Sequence, residues 1–180
     1  MSDGAWHRTP GQGKYARIER EHRYLLAAVP LEAGPPRVVE DLYVTGTSLR
    51  LRRVGDAATV VGKLTQKVRP VADDPTDVAI TNLYLTEGEL ALLSTLPGDR
   101  LRKRRRSWLH GGQTWAVDEH EGRWSGLVLA ELEADEAVEV SPPLLANVTR
   151  DERFTGGSLA AADDAAVAET LAWVRRITVA

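Results

Sequence analysis

The sequence contains no cysteine and few aromatic residues. Without cysteine, its 180 residues cannot form a disulfide framework, a cysteine-ligated zinc or iron–sulfur site, or a thiol nucleophile. Aromatic residues make up only 6% of the chain, and a single one of them is phenylalanine. A chain of this length buries roughly 70% of its extended-chain surface, so it can fold as one domain without a covalent or metal staple.

Long apolar runs are also missing. No stretch approaches the roughly 18 apolar residues that a membrane span needs, and residues 1–13 lack the apolar core of a secretory signal. We therefore expect a cytoplasmic protein with no membrane contact, in which residues 1–13 form a flexible tail and residues 14–180 form a single domain. The net charge of −3 argues against a uniformly basic surface that would bind nucleic acid.

Short segments of alternating apolar and polar residues dominate from residue 14 onward. They predict eight β-strands, at residues 14–27, 38–46, 49–55, 58–69, 77–85, 100–109, 113–120 and 126–135. Eight mostly consecutive strands favour a mainly β fold of the α+β type, in which an antiparallel sheet closes into a barrel around a small ligand.

Two helices interrupt or follow the strands. The sequence Thr86-Glu87-Gly88-Glu89 is a capping box that predicts a helix ending before Pro97. A second helix is expected to begin near Asp163 or Asp164 and to run towards the C-terminus. We expect this last helix to pack on the apolar outside of the barrel, with a role in dimer formation as the alternative.

Charged residues recur at every second position of the predicted strands, so each set shares one face of the sheet. On a single strand such a face is usually the solvated side of a half-buried sheet. Its recurrence on distant strands indicates instead that the charged faces point together into a lumen. The positive residues are Arg23, Arg50, Arg52, Lys63, Lys67, Lys103 and Arg105. The negative residues are Glu19, Glu21, Asp118, Glu131 and Glu133.

A lumen of this composition predicts its ligand. Burying so many ions in a dry interior would cost several kcal/mol each, so the lumen must hold water or a complementary ligand. Clustered carboxylates suit hard divalent cations, and clustered Arg and Lys suit phosphates. Together they indicate a metal-bound polyphosphate anion.

The direction of one basic strand stays open at this point. Residues 102–106 are all basic, so either Lys103 and Arg105 or Arg102, Arg104 and Arg106 could face the lumen. An outward-facing arginine set could also contact RNA, although solvated arginines are the favoured interpretation and we expect no nucleic-acid partner.

Several segments, taken in chain order, resemble the CYTH superfamily, the triphosphate tunnel metalloenzymes. The match covers roughly residues 14–160. Glu19-Arg20-Glu21-His22-Arg23 is similar to the strand that opens the family, with Arg23 where the family usually has lysine. The later segments that carry the resemblance are Leu49-Arg50-Leu51-Arg52, Leu64-Thr65-Gln66-Lys67, Lys103-Arg104-Arg105, Thr114 to Asp118, Leu129 to Glu133, and Val148 to Phe154.

The resemblance implies an eight-stranded antiparallel tunnel that hydrolyses a small-molecule triphosphate with Mg²⁺ or Mn²⁺, inorganic tripolyphosphate being favoured over nucleoside or thiamine triphosphate. The implied catalytic residues are Glu19, Glu21, Glu131, Glu133 and Lys103. The implied triphosphate-binding residues are Arg23, Arg50, Arg52, Lys63, Lys67, Lys103 and Arg105. The implied metal ligands are Glu19, Glu21, Asp118, Glu131 and Glu133. Tyr43 is expected either to orient a basic side chain or to pack in the core.

Two other functions stay open at the sequence level. A class IV-type adenylate cyclase would use the same tunnel but needs an adenine pocket, which the sequence does not reveal. A non-catalytic module would use the same cationic side chains to bind polyphosphate or nucleotide but would not hydrolyse it. We expect a monomer or a homodimer in either case.

Overall fold

A computed structural model describes residues 9–56, 58–69 and 77–179 of the chain. Within these residues it has nine strands, three α-helices and two short 3₁₀ turns. The strands are β1 (Arg17–Leu26), β2 (Arg37–Val44), β3 (Leu49–Gly55), β4 (Val60–Val68), β5 (Asp77–Leu85), β6 (Gly98–His110), β7 (Gln113–His120), β8 (Val128–Glu133) and β9 (Leu144–Asn147). The helices are α1 (Glu87–Leu93), α2 (Gly156–Ala161) and α3 (Asp164–Val179). The 3₁₀ turns span Gly122–Trp124 and Glu152–Phe154.

Eight of these strands close into an antiparallel barrel, which confirms the predicted fold class. The strand order is β5-β4-β3-β2-β6-β7-β8-β1, and β1 closes the ring by pairing also with β5. β1 divides one edge between two partners: its first half pairs with β5 and its last three residues pair with β9. The closure turns one face of every strand inward, so alternate residues on distant strands share one interior.

One end of the barrel interior is apolar and is covered by helices. Leu25, Leu101 and Leu129 lie at inward positions and belong to a core that also contains Val167 and Val174 of α3. The C-terminal helix therefore packs against inward side chains at the barrel end, whereas the sequence analysis expected it on the outer face of the sheet. The charged inward residues line the remaining part of the interior.

A second apolar core lies on the outside of the sheet. Tyr24, Trp108, Trp115 and Val117 contribute outward side chains from strands β1, β6 and β7. Chain segments outside the regular strands cover this face, because Val29 and Val138 pack against it. Two tryptophans from neighbouring strands thus meet in this cluster, where the ring centroids of Trp108 and Trp115 are 6.0 Å apart.

The structure confirms both helix starts that the sequence predicts. The Thr86 amide donates to Glu89 Oε2 over 2.7 Å, and the Glu89 amide donates back to Thr86 Oγ1 over 3.3 Å. Asp163 precedes α3, and its Oδ1 accepts from the Ala166 amide over 2.8 Å. Such caps satisfy amides that the first helical turn leaves without a partner.

The expected tail at residues 1–13 lies mostly outside the described residues; Gly11, which is described, lies against Val68 and Ala79. Within the described part of the chain, no helix has both the length and the apolar character that crossing a membrane requires.

Candidate functional site

The inward positions of the barrel line a cavity of about 750 Å³. This volume lies in the range of small-molecule sites. The predicted site residues that line it come from strands β1, β3, β4, β6 and β8. They are Glu19, Glu21, Arg23, Arg50, Arg52, Lys63, Lys67, Lys103, Arg105, Glu131 and Glu133. The structure thus brings together residues separated by more than 100 positions, because closure places β1 between β8 and β5.

The acidic residues lie on one wall, where β1 pairs with β8. Glu21 is directly opposite Glu133, and the next inward residues along the two strands are Arg23 and Glu131. Glu21 and Glu131 are close enough in the lumen for their carboxyl groups to influence each other's pKa. Burial and the adjacent Glu131 charge raise the pKa of Glu21, so this pair readily holds a proton between its two carboxyl groups.

Asp118 on β7 is fully buried in the barrel wall, and its carboxylate binds two cationic side chains. It accepts hydrogen bonds from Lys103 and from Arg105, whose Nε and Nη2 atoms lie 2.7 and 2.5 Å from Oδ1 and Oδ2. Arg105 also contacts Glu131. Burial alone would raise the pKa of Asp118, but Arg105 and Lys103 outweigh it and lower the pKa. Both oxygens of Asp118 are therefore engaged by protein cations.

Contacts of the arginines on β6 show which residues of the basic run 102–106 face outward. Arg102 donates to Glu121 and to Glu40 over 2.6 and 2.5 Å, and Arg104 lies 2.7 Å from Glu121. Arg106 donates to a backbone carbonyl. Lys103 and Arg105 therefore face the lumen, and two of the three outward arginines, Arg102 and Arg104, pair with acidic neighbours on the barrel surface.

The opposite wall, formed by β3 and β4, is rich in cations. Arg50 and Arg52 are buried on β3, and their cross-strand partners on β4 are Thr65 and Lys63. Burial and the positive charges of Arg50 and Arg52 lower the pKa of Lys63 to about 8. Burial also lowers the pKa of Lys67. The lowered pKa values of the two lysines show that the positive charges on this wall repel one another, so a bound anion would stabilise them.

Two guanidinium groups of the lumen keep unused donors. Among the residues that the structure describes, three buried Nε atoms have no hydrogen-bond partner: those of Arg23 and Arg50 in the lumen, and that of the outward Arg106. Arg50 reaches Thr65 Oγ1 at 3.4 Å, and Arg23 donates to the Thr149 carbonyl over 3.2 Å. Buried polar atoms without partners are costly, and an oxygen-rich ligand is one way to satisfy them.

Asp41, which the sequence patterns did not identify as a site residue, has its carboxylate buried on β2 beside Arg52 and Arg50. Glu40 and Asp41 are adjacent, so strand parity alone does not say which of them faces inward. Opposition to Arg52 on the neighbouring strand is the signal that could have identified Asp41. A predicted β2–β3 pairing register would have been needed to use it.

Tyr43 lies at the base of the lumen, where its ring also packs against the helix-covered core. Its hydroxyl neighbours the Arg50 guanidinium. Burial and the Asp41 carboxylate raise the pKa of Tyr43 well above its usual range, so the hydroxyl stays protonated. The arrangement combines both expectations for Tyr43, contact with a basic side chain and packing in the core.

The donor chemistry of the acidic wall suits a hard divalent cation. Within the described parts of the chain, no three acidic or histidine side chains converge closely enough to form a complete protein-only metal site. Mg²⁺ usually takes only one or two protein carboxylates and completes its shell with water and phosphate oxygens. The adjacent carboxyl groups of Glu21 and Glu131 meet that requirement, whereas Asp118 is already engaged by Lys103 and Arg105.

Comparison with known proteins shows a fold but no sequence relative. No protein-family model and no curated protein matches the chain. The chain is similar to the crystal structure of the inorganic triphosphatase NE1496, with a TM-score of 0.55 and 22% identity over 81% of this chain and 95% of that one. A second structure, of the hypothetical protein NE1496, gives a TM-score of 0.52 at 22% identity over 80% of this chain and 98% of that one. The shared fold agrees with the barrel that the resemblance to the CYTH superfamily implied.

Proposed function

From a barrel shared with an inorganic triphosphatase, we propose that this chain hydrolyses a triphosphate inside its lumen, with inorganic tripolyphosphate as the favoured substrate and Mg²⁺ or Mn²⁺ as the cofactor. One observation carries the proposal: a wall of cations and a wall of carboxylates face each other across one cavity. A lumen lined only by cations would suit an anion alone, and one lined only by acids would suit a metal alone. Both walls together suit a metal-bound polyphosphate.

The cations bind and orient the phosphates. Arginine offers forked donors to phosphate oxygens and lysine offers a compact point charge. In the proposal the chain of phosphates lies along the wall that carries Arg50, Arg52, Lys63 and Lys67. Arg23, whose free Nε is buried, binds from the neighbouring strand β1. These fixed charges would stabilise the charge that develops on the transferred phosphoryl group.

The carboxylates of β1 and β8 would hold the divalent ion. Glu21 and Glu131 form the pair that fits it, with Glu19 and Glu133 as the flanking acids of the same wall. When bound, the cation neutralises phosphate charge and lowers the pKa of coordinated water. Asp118 has a different role in this proposal, because it holds Lys103 and Arg105 in place beside Glu131. No covalent nucleophile is required.

The proposal is tested by phosphate release from tripolyphosphate, ATP, GTP and thiamine triphosphate, with Mg²⁺, with Mn²⁺ and with neither. We expect turnover that depends on metal and is highest with tripolyphosphate. Glu131→Gln should lower kcat at least about 100-fold, because a neutral amide replaces the charge that the cation requires. Glu139→Gln, on an exposed segment away from the lumen, is the matched control and should leave kcat unchanged.

Two results would replace this function with another. Release of pyrophosphate and cyclic AMP from ATP, without orthophosphate, would indicate an adenylate cyclase. Tight tripolyphosphate binding without turnover under any metal condition would indicate a binding module. Equal turnover by the wild type and the Glu131→Gln variant would remove the acidic wall from the mechanism.

A further inference from the structure

Asp41 forms a two-point contact with a cation of the proposed phosphate wall. Its Oδ1 and Oδ2 atoms lie 2.6 and 2.7 Å from Nε and Nη2 of Arg52. Arg50 Nε lies 3.7 Å from the same Oδ1. The Asp41 side chain has no exposed surface, and those of Arg50 and Arg52 are at most 10% exposed. The contact is therefore a buried fork, the arrangement that best fixes the plane of a guanidinium group.

On charge alone, Asp41 is a poor residue for this wall. A polyphosphate brought near Arg52 also comes near the Asp41 carboxylate, and like charges repel most strongly where water is excluded. Burial alone would favour the neutral acid, but Arg52, Arg50 and Lys103 outweigh it and hold the pKa of Asp41 well below its usual range. The residue is therefore a permanent anion inside the proposed anion site.

The contact geometry indicates that the Asp41 carboxylate orients the Arg52 guanidinium group. A guanidinium group has five N–H donors in a fixed plane. Asp41 accepts from the Nε and Nη2 edge of Arg52, and the remaining three donors make no hydrogen bond to any residue in the described part of the chain. Because Arg52 lines the cavity, those donors are available to an oxygen ligand in an orientation set by the carboxylate.

We propose that Asp41 is a positioning residue for the triphosphate site, which holds the Arg52 guanidinium in the orientation that binds a phosphate group. The proposal rests on the proposed function, because it takes Arg52 as a phosphate-binding side chain. Asp41 itself does not touch the substrate. Its effect passes through Arg52, so it should reverse when residue 52 can no longer form the fork and only the repulsion between Asp41 and the anion is left.

A double-mutant cycle separates positioning from charge and from general stability. The four proteins are the wild type, Asp41→Asn, Arg52→Lys and the double variant. Binding of tripolyphosphate is measured by calorimetry without metal, so that the result does not depend on turnover. Phosphate release with Mg²⁺ is measured in parallel, and thermal unfolding establishes that each variant is folded.

If Asp41 positions Arg52, the effect of Asp41→Asn on tripolyphosphate affinity should have opposite signs in the wild-type and the Arg52→Lys backgrounds. In the wild-type background, Asp41→Asn should weaken tripolyphosphate binding about tenfold and lower kcat about 100-fold, because the guanidinium loses its orientation. In the Arg52→Lys background, where no fork exists, the same change should strengthen binding by removing a repulsive charge. Glu40→Gln, the adjacent outward residue that pairs with Arg53 and Arg102, should leave both quantities unchanged.

Other outcomes overturn the proposal. Stronger binding in both backgrounds would mean that Asp41 only repels the anion, and an equal weakening in both would mean a general structural role. If the effect of Asp41→Asn on affinity reverses between the two backgrounds but the wild type shows no turnover, the positioning role holds and triphosphate hydrolysis is refuted. If the wild type does not bind tripolyphosphate, both the positioning role and the proposed function are refuted. If Asp41→Asn does not fold, Asp41→Glu keeps the charge but displaces the fork; unchanged affinity in that variant would count against positioning.

Discussion

At the scale of single residues, Lys63 differs from the arginines around it because its charge can be lost near neutral pH. Burial together with Arg50 and Arg52 lowers the pKa of Lys63 to about 8. An arginine in the same place would stay charged at every physiological pH. The proposed anion wall therefore contains, in Lys63, a cation whose charge depends on pH, beside arginines whose charge does not.

We expect the Lys63 charge to contribute fully to tripolyphosphate binding well below pH 8 and its loss to weaken binding above pH 8. The sign follows from the charge: protonated Lys63 attracts the anion, and the anion in turn raises the pKa of Lys63 in the complex. The dissociation constant should rise by up to about tenfold per pH unit above pH 8. Calorimetric titrations between pH 6.5 and 9.5 measure this dependence.

Lys63→Arg is the matched control for this pH dependence. It keeps the positive charge and removes the titration, so the rise in the dissociation constant above pH 8 should flatten. Titration of the substrate itself affects both proteins equally, so it cancels in the ratio of their dissociation constants. An identical pH profile in the two proteins would exclude Lys63 as its source.

At the scale of single elements, helix α2 holds the base of the lumen through a close contact at its first residue. A Cβ atom added at Gly156 would lie 2.0 Å from the Tyr43 hydroxyl oxygen. Thr155 precedes the helix, and its Oγ1 accepts from the Ser158 amide over 3.2 Å. Glycine is required here for space, because α2 approaches the Tyr43 ring more closely than any side chain would permit.

Gly156→Ala should therefore destabilise the protein by about 1–3 kcal/mol, as over-packing of a tight contact usually does. It should also reduce activity, because displacing Tyr43 disturbs the neighbouring Arg50 guanidinium. Urea unfolding gives the first quantity and phosphate release the second.

Gly157→Ala provides a control within the same helix. An added Cβ there would meet the Tyr43 ring at 3.7 Å, an ordinary contact distance. Its effect should be neutral or stabilising by up to about 1 kcal/mol, since alanine favours the helix more than glycine. Equal losses at positions 156 and 157 would show that contact with Tyr43 does not decide the effect.

At the scale of the whole molecule, the fold separates its charges by location. The net charge is −3, yet the lumen concentrates cations on one wall. On the outer surface, arginines such as Arg102 pair with acidic residues. The repulsion among buried lumen cations opposes folding, and an anionic ligand that binds only the folded barrel would relieve it.

Tripolyphosphate should therefore raise the thermal unfolding midpoint even without metal. At 100 times its dissociation constant a ligand stabilises the folded state by about 2.7 kcal/mol, which corresponds to roughly 5–10 °C for a chain of this size. Differential scanning fluorimetry measures the shift. Sodium chloride at equal ionic strength is the control, and Lys67→Met should reduce the shift because it removes one lumen cation. A chloride shift as large as that from tripolyphosphate would indicate general screening instead of a site.

The strands and the inward residues were largely predictable because strand periodicity is simple. Side chains alternate at every second residue, so Arg50 with Arg52 and Glu131 with Glu133 had to share a face once their strands were recognised. β9 and α2 were not predicted, because four and six residues are too few to show a period. Asp41 was missed, and the direction of residues 102–106 stayed open, because adjacent charged residues leave parity undetermined.

By itself, the sequence determined which residues alternate on each strand, where the main helices begin, and that charges of both signs must be accommodated, since these depend on neighbours in the chain. Only the tertiary structure decided which carboxylate holds which cation, as with Asp41 and Arg52 or Asp118 and Arg105. It also decided that α3 covers the end of the barrel. The physical reason is that strand register and barrel closure determine distances between residues far apart in the chain, and local periodicity carries no information about either.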